Sequence, residues 1–450
     1  MNRLAELHTR EEGRFVETHP RSRELAGRAR AHLFEGVPMH WMRKWPGGFP
    51  VFVQEAKGAR FVDVDGIEYV DFCLGDTGAM TGHAPDATLR AVTDQSAKGL
   101  TLMLPSEDSL WVSAELTRRF GVSSWQFALT ATDANRFTIR LARHMTGRSV
   151  ILVFNWCYHG TVDETFATLG ADGLVGARSG NLGPPVDPAL TTRVVEFNDV
   201  DALERELARG DVALVLAEPA LTNIGIVHPE PGFHDALREL TRQYGTLLAI
   251  DETHTICCGA GGYTQAHGLD PDVVTIGKPI AGGIPAAAYG FSEETAARLA
   301  GRIELEDVDV GGVGGTLAAN ALSLAAVRAT LDDVLTEEAF ARMIPLAERW
   351  TEGVEAGIEE SGLPWHVTRL GCRAEYLFGP DRPRTGQEAH DAGDVALERY
   401  MHLFALNRGI LLTPFHNMAL MSPATTEADV DRHTAVFRDA VLELAGLDVR

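Results

Sequence analysis

The sequence predicts an α/β fold, a mainly parallel sheet covered by helices and joined to a smaller α+β domain. Three observations carry this. Short apolar, β-branched runs alternate with amphipathic stretches from about Phe127 to Val334, the pattern of a parallel sheet buried on both faces. From about Thr336 the pattern changes to a long helix, a strand at 373–378 and a final helix from about Glu427 to Leu444. A length of 450 residues with 45% hydrophobic content fills one large core and one smaller one. The expected division is an N-terminal segment, 1–75, that serves the small domain, a large domain, 76–335, and a C-terminal small domain, 336–450.

Residues 1–43 are charged and read as helical, with Leu4, Leu7, Phe15, Leu25, Ala29 and Leu33 as contact points. Phe127-Ala128-Leu129 reads as a strand. The helix after it carries Ala134, Phe137, Thr138, Leu141, Ala142 and Met145 at steps of three and four. Thr132 is the expected N-cap, so that amides, helix dipole and a hydroxyl converge where a phosphate docks. Residues 149–154 read as a strand leading to Tyr158-His159-Gly160. Asp199 and Gly210 bracket a helix over Val200, Leu203 and Leu207, and another over Phe233–Tyr244 stops at Gly245. Leu247–Ile250 and Val273–Ile276 read as buried strands, and 380–386 as an exposed loop.

Lys278 follows Asp251 by 27 residues, and each stands just beyond the carboxyl end of a predicted strand. Ligands of open α/β sheets bind outside those ends. A lysine amine forms a Schiff base with a carbonyl cofactor, while a carboxylate beside a pyridine nitrogen keeps that ring protonated. The pair suggests pyridoxal phosphate chemistry. Thr132 supplies a phosphate cradle and Tyr158 a stacking ring, although Thr132 also serves as a plain cap, Tyr158 as core, and His159 as a residue satisfied by backbone.

Composition narrows the class. The net charge of -23 disfavours nonspecific attraction to nucleic acid or anionic membrane. No stretch approaches the roughly 18 apolar residues of a membrane span, and residues 1–15 lack a signal-peptide core. The five cysteines, at 73, 157, 257, 258 and 372, show neither metal-ligand nor disulfide spacing, which favours a reducing compartment and a cytoplasmic location. Glu252-Thr253-His254 lacks the spacing of a zinc helix, and Gly311–Thr316 lacks that of a nucleotide fingerprint.

From about Gly36 to about Pro423 the chain resembles the class III pyridoxal-phosphate aminotransferases, most of all the branch of glutamate-1-semialdehyde aminomutase and the β-amino acid aminotransferases. The motifs are Phe61–Gly66, Tyr69–Phe72, Gly82-His83, Ile139–Arg143, Tyr158-His159-Gly160, Glu218-Pro219, Asp251-Glu252, Gly277-Lys278 and Gly315-Thr316. The resemblance implies the fold type I architecture of pyridoxal-phosphate-dependent transferases. It implies that Lys278 bears the Schiff base, Asp251 pairs with the pyridine nitrogen, Tyr158 stacks on the ring, and Ala131 and Thr132 contact the phosphate. It further implies that Asn223 approaches the phenolic oxygen and that Thr316 reaches the phosphate of a neighbouring subunit, hence a homodimer with the N-terminal segment lying across the partner.

The chain departs from the family pattern at three places. Thr130-Ala131-Thr132 replaces the usual Ser-Gly-Thr, Thr253 replaces a valine beneath the ring, and Cys258 stands where many relatives carry arginine. For a substrate carboxylate Arg373 is the preferred clamp, with structural pairing to Glu375 an equal alternative. Arg43 is a second candidate, and His40, Trp41, Asp76 and His416 fall in pocket-lining segments. The expected activity is amino-group transfer between a small amino acid, possibly a β-amino acid, or an amine, and a keto acid. The alternatives are a glutamate-1-semialdehyde-type aminomutase and a non-catalytic binding protein of the same fold.

Overall fold

The computed structural model describes residues 3–300, 302, 311–413 and 415–447. The chain divides into two compact units: Met1–Pro85 with Glu338–Arg382 and Ala392–Arg450, and Asp86–Glu337 with Pro383–Asp391.

The larger unit is built on a seven-stranded sheet. Its order is Ser124–Ala128, Ala287–Phe291, Val273–Ile276, Leu247–Asp251, Val212–Ala217, Val150–Phe154 and Thr192–Val195. Six strands run one way; Ala287–Phe291 pairs antiparallel with both neighbours. The four central parallel strands are wholly buried, as apolar runs covered on both faces must be. In the helix Ala131–Thr146 every residue of the predicted stripe is buried, and Phe137 meets Tyr289 of the sheet edge-on at 5.9 Å. Val200–Leu207 starts where Asp199 accepts the Ala202 amide at 2.9 Å, and Phe233–Gln243 ends before Gly245, which is left-handed at φ 63°.

The loop predicted over 380–386 has no helix or strand as far as Thr385 and leads into a short helix that the sequence reading did not identify, Gly386–Asp391. Trp156 stacks on His390 at 3.6 Å and donates to Gln387 Oε1 at 3.1 Å. Six residues hold too little periodicity to be seen in sequence.

The other unit contains an antiparallel sheet of His366–Leu370, Arg373–Leu377 and Met418–Leu420, and a second of Val53–Lys57, Arg60–Asp63, Glu68–Asp71 and Ile410–Leu411. Its N-terminal segment is two helices, Arg3–Thr18 and Pro20–Ala29, separated at His19, where Pro20 at the first helical position cannot continue the preceding ladder. The helices Glu337–Ser361 and Glu427–Ala445 match the two long ones expected; the second opens with a capping box of Thr426 and Asp429. Among the described residues no helix is long and apolar enough to cross a membrane.

One buried cation ties the larger unit together away from the sheet. Arg119 is 3% exposed, pairs with Glu115 at 2.7 Å, and donates to the carbonyls of Ala260 (3.1 Å), Leu331 (2.6 Å) and Leu335 (2.8 Å). Two of these belong to the end of the helix Ala321–Asp333 and the turn beyond it, where carbonyls lack intrahelical donors. Arg119→Ala strands those acceptors and should cost about 3 kcal/mol. Denaturant unfolding followed by near-UV dichroism checks this, and Arg119→Lys should recover only part of the loss.

Candidate functional site

The strand Leu247–Asp251 delivers Asp251 to the carboxyl edge of the sheet, and its neighbour Val273–Ile276 delivers Lys278. The register pairs Asp251 with Thr275, so the two loops leave the sheet side by side. Asp251 is 4% exposed. Its Oδ2 accepts from Asn135 Nδ2 at 2.8 Å and faces His159 Nδ1 at 3.0 Å, while Oδ1 accepts the Thr253 amide at 3.0 Å. Burial by itself would raise this carboxyl. The hydrogen bond and charge of His159, with the bonds from Thr253 and Asn135, overcome it and hold the group below its usual value. His159 moves the other way, to about 10: burial pushes it down, and Cys157 and Asp251 outweigh that push. The Asp251 carboxylate in contact is the cause that geometry supports most directly. His159 Nδ1 therefore faces a carboxylate, where satisfaction by backbone was the alternative weighed from sequence.

Asn135 is the hub of the cluster. Besides Asp251 it donates to the His159 carbonyl at 3.1 Å, and its Oδ1 accepts from Thr275 Oγ1 at 2.7 Å. One side chain thus links the helix Ala131–Thr146, two adjacent strands and the loop after Val150–Phe154.

The N-cap of that helix is Thr130 rather than Thr132. Thr130 has the extended backbone of a cap, φ −137° and ψ 153°, and its hydroxyl accepts the Asp133 amide at 3.2 Å. Thr132 lies inside the first turn, and its Oγ1 accepts the Thr161 amide at 3.0 Å. A Cβ on Gly160, at φ 79°, would fall 2.2 Å from that hydroxyl; the glycine lets the two loops close on each other. Gly277 does the same for the lysine loop, since a Cβ there would stand 3.0 Å from Ala131 Cβ and 3.2 Å from the Ala131 amide nitrogen. The helix start, the Tyr158–Gly160 loop and the lysine loop are therefore in mutual contact.

Lys278 adopts φ 50°, a left-handed conformation that costs a residue with a side chain roughly 1–2 kcal/mol and is found at functional sites. Its Nζ lies 2.7 Å from His254 Nε2. Tyr158 is anchored through its amide, which donates to the buried Glu218 Oε1 at 3.1 Å, and its ring meets Phe166 edge-on. Glu218 also accepts from the Thr222 amide at 3.1 Å and the Thr222 hydroxyl, ahead of half-buried Asn223; burial raises it above the ordinary carboxyl value. Thr253 is buried, and its Oγ1 has no hydrogen-bond partner among the described residues. Thr316 lies exposed beyond Gly315.

The remaining candidates belong to the other unit. Arg373 is fully buried, its Nε donating to Glu375 Oε1 at 2.9 Å; it is placed as the structural pair that formed the alternative reading. Positions two apart in a strand share a face, so the pairing was available in the sequence. His416 is buried, with Nδ1 4.0 Å from the same Glu375 oxygen. Arg43 is exposed and paired with Glu35. His40 is exposed, Trp41 packs edge-on to Phe415 at 5.8 Å, and Asp76 is half-buried at φ 51°.

The class III aminotransferase family matches the chain over residues 42–440. Glutamate-1-semialdehyde 2,1-aminomutase of Sorangium cellulosum is 34% identical over 434 residues, 94% of this chain and 96% of that one. A solved glutamate-1-semialdehyde aminomutase from Pseudomonas aeruginosa PAO1 superposes with a TM-score of 0.96 at 53% identity, covering 98% of both chains. A lysine-to-alanine variant of it was crystallised in complex with PMP. An omega-transaminase from Sphaerobacter thermophilus gives a TM-score of 0.86 at 29% identity, covering 95% of this chain and 99% of that one.

The His159–Asp251 pair has a pH signature. A histidine raised from 6.5 to about 10 contributes stability that is whole below about 6.5 and is lost as pH climbs through about 10. Asp251, being depressed, contributes above its ordinary carboxyl value and loses that contribution as pH falls through its lowered one. The difference in Tm between the parent and His159→Asn should accordingly shrink across the alkaline range, from about 6.5 towards about 10. Calorimetric scans at several pH values read it directly.

Proposed function

Because the chain belongs to the class III aminotransferase family, we propose that it is a pyridoxal-phosphate enzyme that moves an amino group of a small amino-acid substrate, with Lys278 as the covalent anchor. The observation that carries this is the buried, ionised Asp251 standing one strand from Lys278. A carboxylate kept charged in a dry site by three donors is what a pyridinium nitrogen requires. The buried, unpartnered Thr253 hydroxyl and the helix start pressed against Gly277 also fit the cofactor.

Bound there, pyridoxal phosphate supplies an electron sink for negative charge developing on a substrate carbon. The protein's own groups then divide the work. Lys278 Nζ holds the cofactor and, once displaced by substrate, moves the proton at the reacting carbon. Asp251 keeps a fixed negative charge facing the ring nitrogen, and His159, Asn135 and the Thr253 amide keep it from rotating away or taking up a proton. Ala131 and Thr132 offer first-turn amides and the helix dipole to the phosphate. Tyr158 would stack on the ring, with Thr253 beneath it, and Asn223 would approach the phenolic oxygen. Exposed Thr316 suits a residue that completes the phosphate site of a second copy, which makes the active form a homodimer.

Two outcomes share these steps. An aminomutase returns the amino group to the same carbon skeleton, and the names of the similar aminomutases support it. An aminotransferase passes the group to a separate keto acid. The altered phosphate loop Thr130-Ala131-Thr132, Thr253 and Cys258 support that second outcome, as does the likeness to an omega-transaminase. Product analysis separates them: conversion of glutamate-1-semialdehyde without added acceptor gives the first, and strict dependence on a keto acid gives the second.

Lys278→Ala should abolish the visible absorption of the tethered cofactor and nearly all turnover. Asp251→Asn should still bind cofactor but lower kcat by about a hundredfold. Single-turnover kinetics at saturating cofactor measure both, and unchanged rates would reject the assignments.

A further inference from the structure

Beyond the groups assigned so far, the loop after Asp251 holds a side chain for which the proposed function has no use. His254 lies three residues after Asp251 on the turn leading into Thr255–Cys258. It is 6% exposed, and its Nε2 stands 2.7 Å from Lys278 Nζ. A buried imidazole in hydrogen-bond contact with a primary amine permits two arrangements. With the ring proton on Nδ1, Nε2 accepts from Nζ; with it on Nε2, the ring donates to the amine lone pair.

We propose that His254 is a positioning residue for Lys278, one that aims Nζ and exchanges a proton with it when the amine is captured by, or released from, a carbonyl carbon. The inference rests on Lys278 being the cofactor anchor. Condensation of the neutral amine with an aldehyde forms a carbon–nitrogen double bond and expels the aldehyde oxygen as water. Both hydrogens of that water originate on Nζ. Nε2 is placed to take the hydrogen shed on attack and return it to the departing hydroxyl, so that no proton is gained or lost overall. Release runs the same steps backwards.

The titratable groups on the surrounding loops are engaged elsewhere. Asp251 and His159 hold each other. Glu252, raised by burial, accepts from the Thr255 hydroxyl at 2.6 Å and from the amides of Tyr263 and Thr264. Glu218 is bound to Tyr158 and Thr222, Asp133 to Thr130, and Cys257 is buried on the same turn beside half-buried Cys258.

The test uses the full-length apoprotein. Pyridoxal phosphate is added over a range of pH, the adduct is fixed with borohydride at timed intervals, and the labelled peptide is mapped. The parent should label Lys278 with a pH profile that His254→Gln, which keeps a hydrogen bond but cannot titrate near neutrality, no longer follows. Capture at neutral pH should slow by about tenfold or more, and His254→Phe should be slower still. Equal rates and identical profiles in the parent and His254→Gln would overturn the inference while leaving the anchor intact. Labelling of the parent away from Lys278 would overturn both. Should the His254 variants fail to fold, the imidazole resonances of Lys278→Ala decide. His254 should titrate at a different pH once its amine partner is gone, and an unchanged titration overturns the proposal.

Discussion

A buried negative charge is the constraint around which the large unit is arranged. Desolvating a carboxylate costs several kcal/mol even in a relaxed protein interior. Asp251 escapes protonation only because donors arrive from three directions: the helix Ala131–Thr146 through Asn135, the loop after Val150–Phe154 through His159, and its own chain through Thr253. Each donor is itself fixed, Asn135 by Thr275 and by the His159 carbonyl. Hydrogen bonds that interlock in this way rigidify the groups that share them. The charge therefore ties the helix, two strands and a loop into one relative placement.

The same economy of space governs the loops. Gly160 and Gly277 sit where any side chain would strike the first turn of the helix. The three loops can approach only as closely as these two glycines permit, and this contact brings the helix start against the turn that carries Lys278. Ala131, where the family usually has glycine, puts its methyl group on the helix side of that contact, 3.0 Å from where a Cβ on Gly277 would stand.

How much of this was legible in the sequence depends on the kind of signal. Buried parallel strands announce themselves as apolar runs, and Asp251 and Lys278 stand out in the sequence because each lies at or just beyond the end of such a run. Every residue of the stripe from Ala134 to Met145 is buried, with Asn135 and Ile139 buried beside them. The Thr130 cap was misplaced by two residues because capping depends on one residue's backbone angles, which periodicity does not encode. The partners of Asp251 and Lys278 were missed for a different reason. Asn135, His159 and His254 act across loops from distant parts of the chain or around a turn, and no spacing rule connects them. Arg373 and Glu375 lay in plain view as strand neighbours on one face, and their burial together, a fact of tertiary packing, binds the arginine to its neighbour.

Asp251 and Lys278 therefore meet opposite electrostatic demands a single strand apart, about 4.8 Å in a parallel sheet. The acid must never take up a proton, and burial among donors secures that. Under the proposed function the amine gains and loses protons as it is bound and freed, so a partner that locked its charge would disable it. A carboxylate beside Nζ would do so, because an opposite charge at contact distance favours the ammonium form. An imidazole in that place exchanges a proton without imposing a charge. The fold thus sets one histidine against the buried carboxylate, at 3.0 Å, and another against the amine, at 2.7 Å.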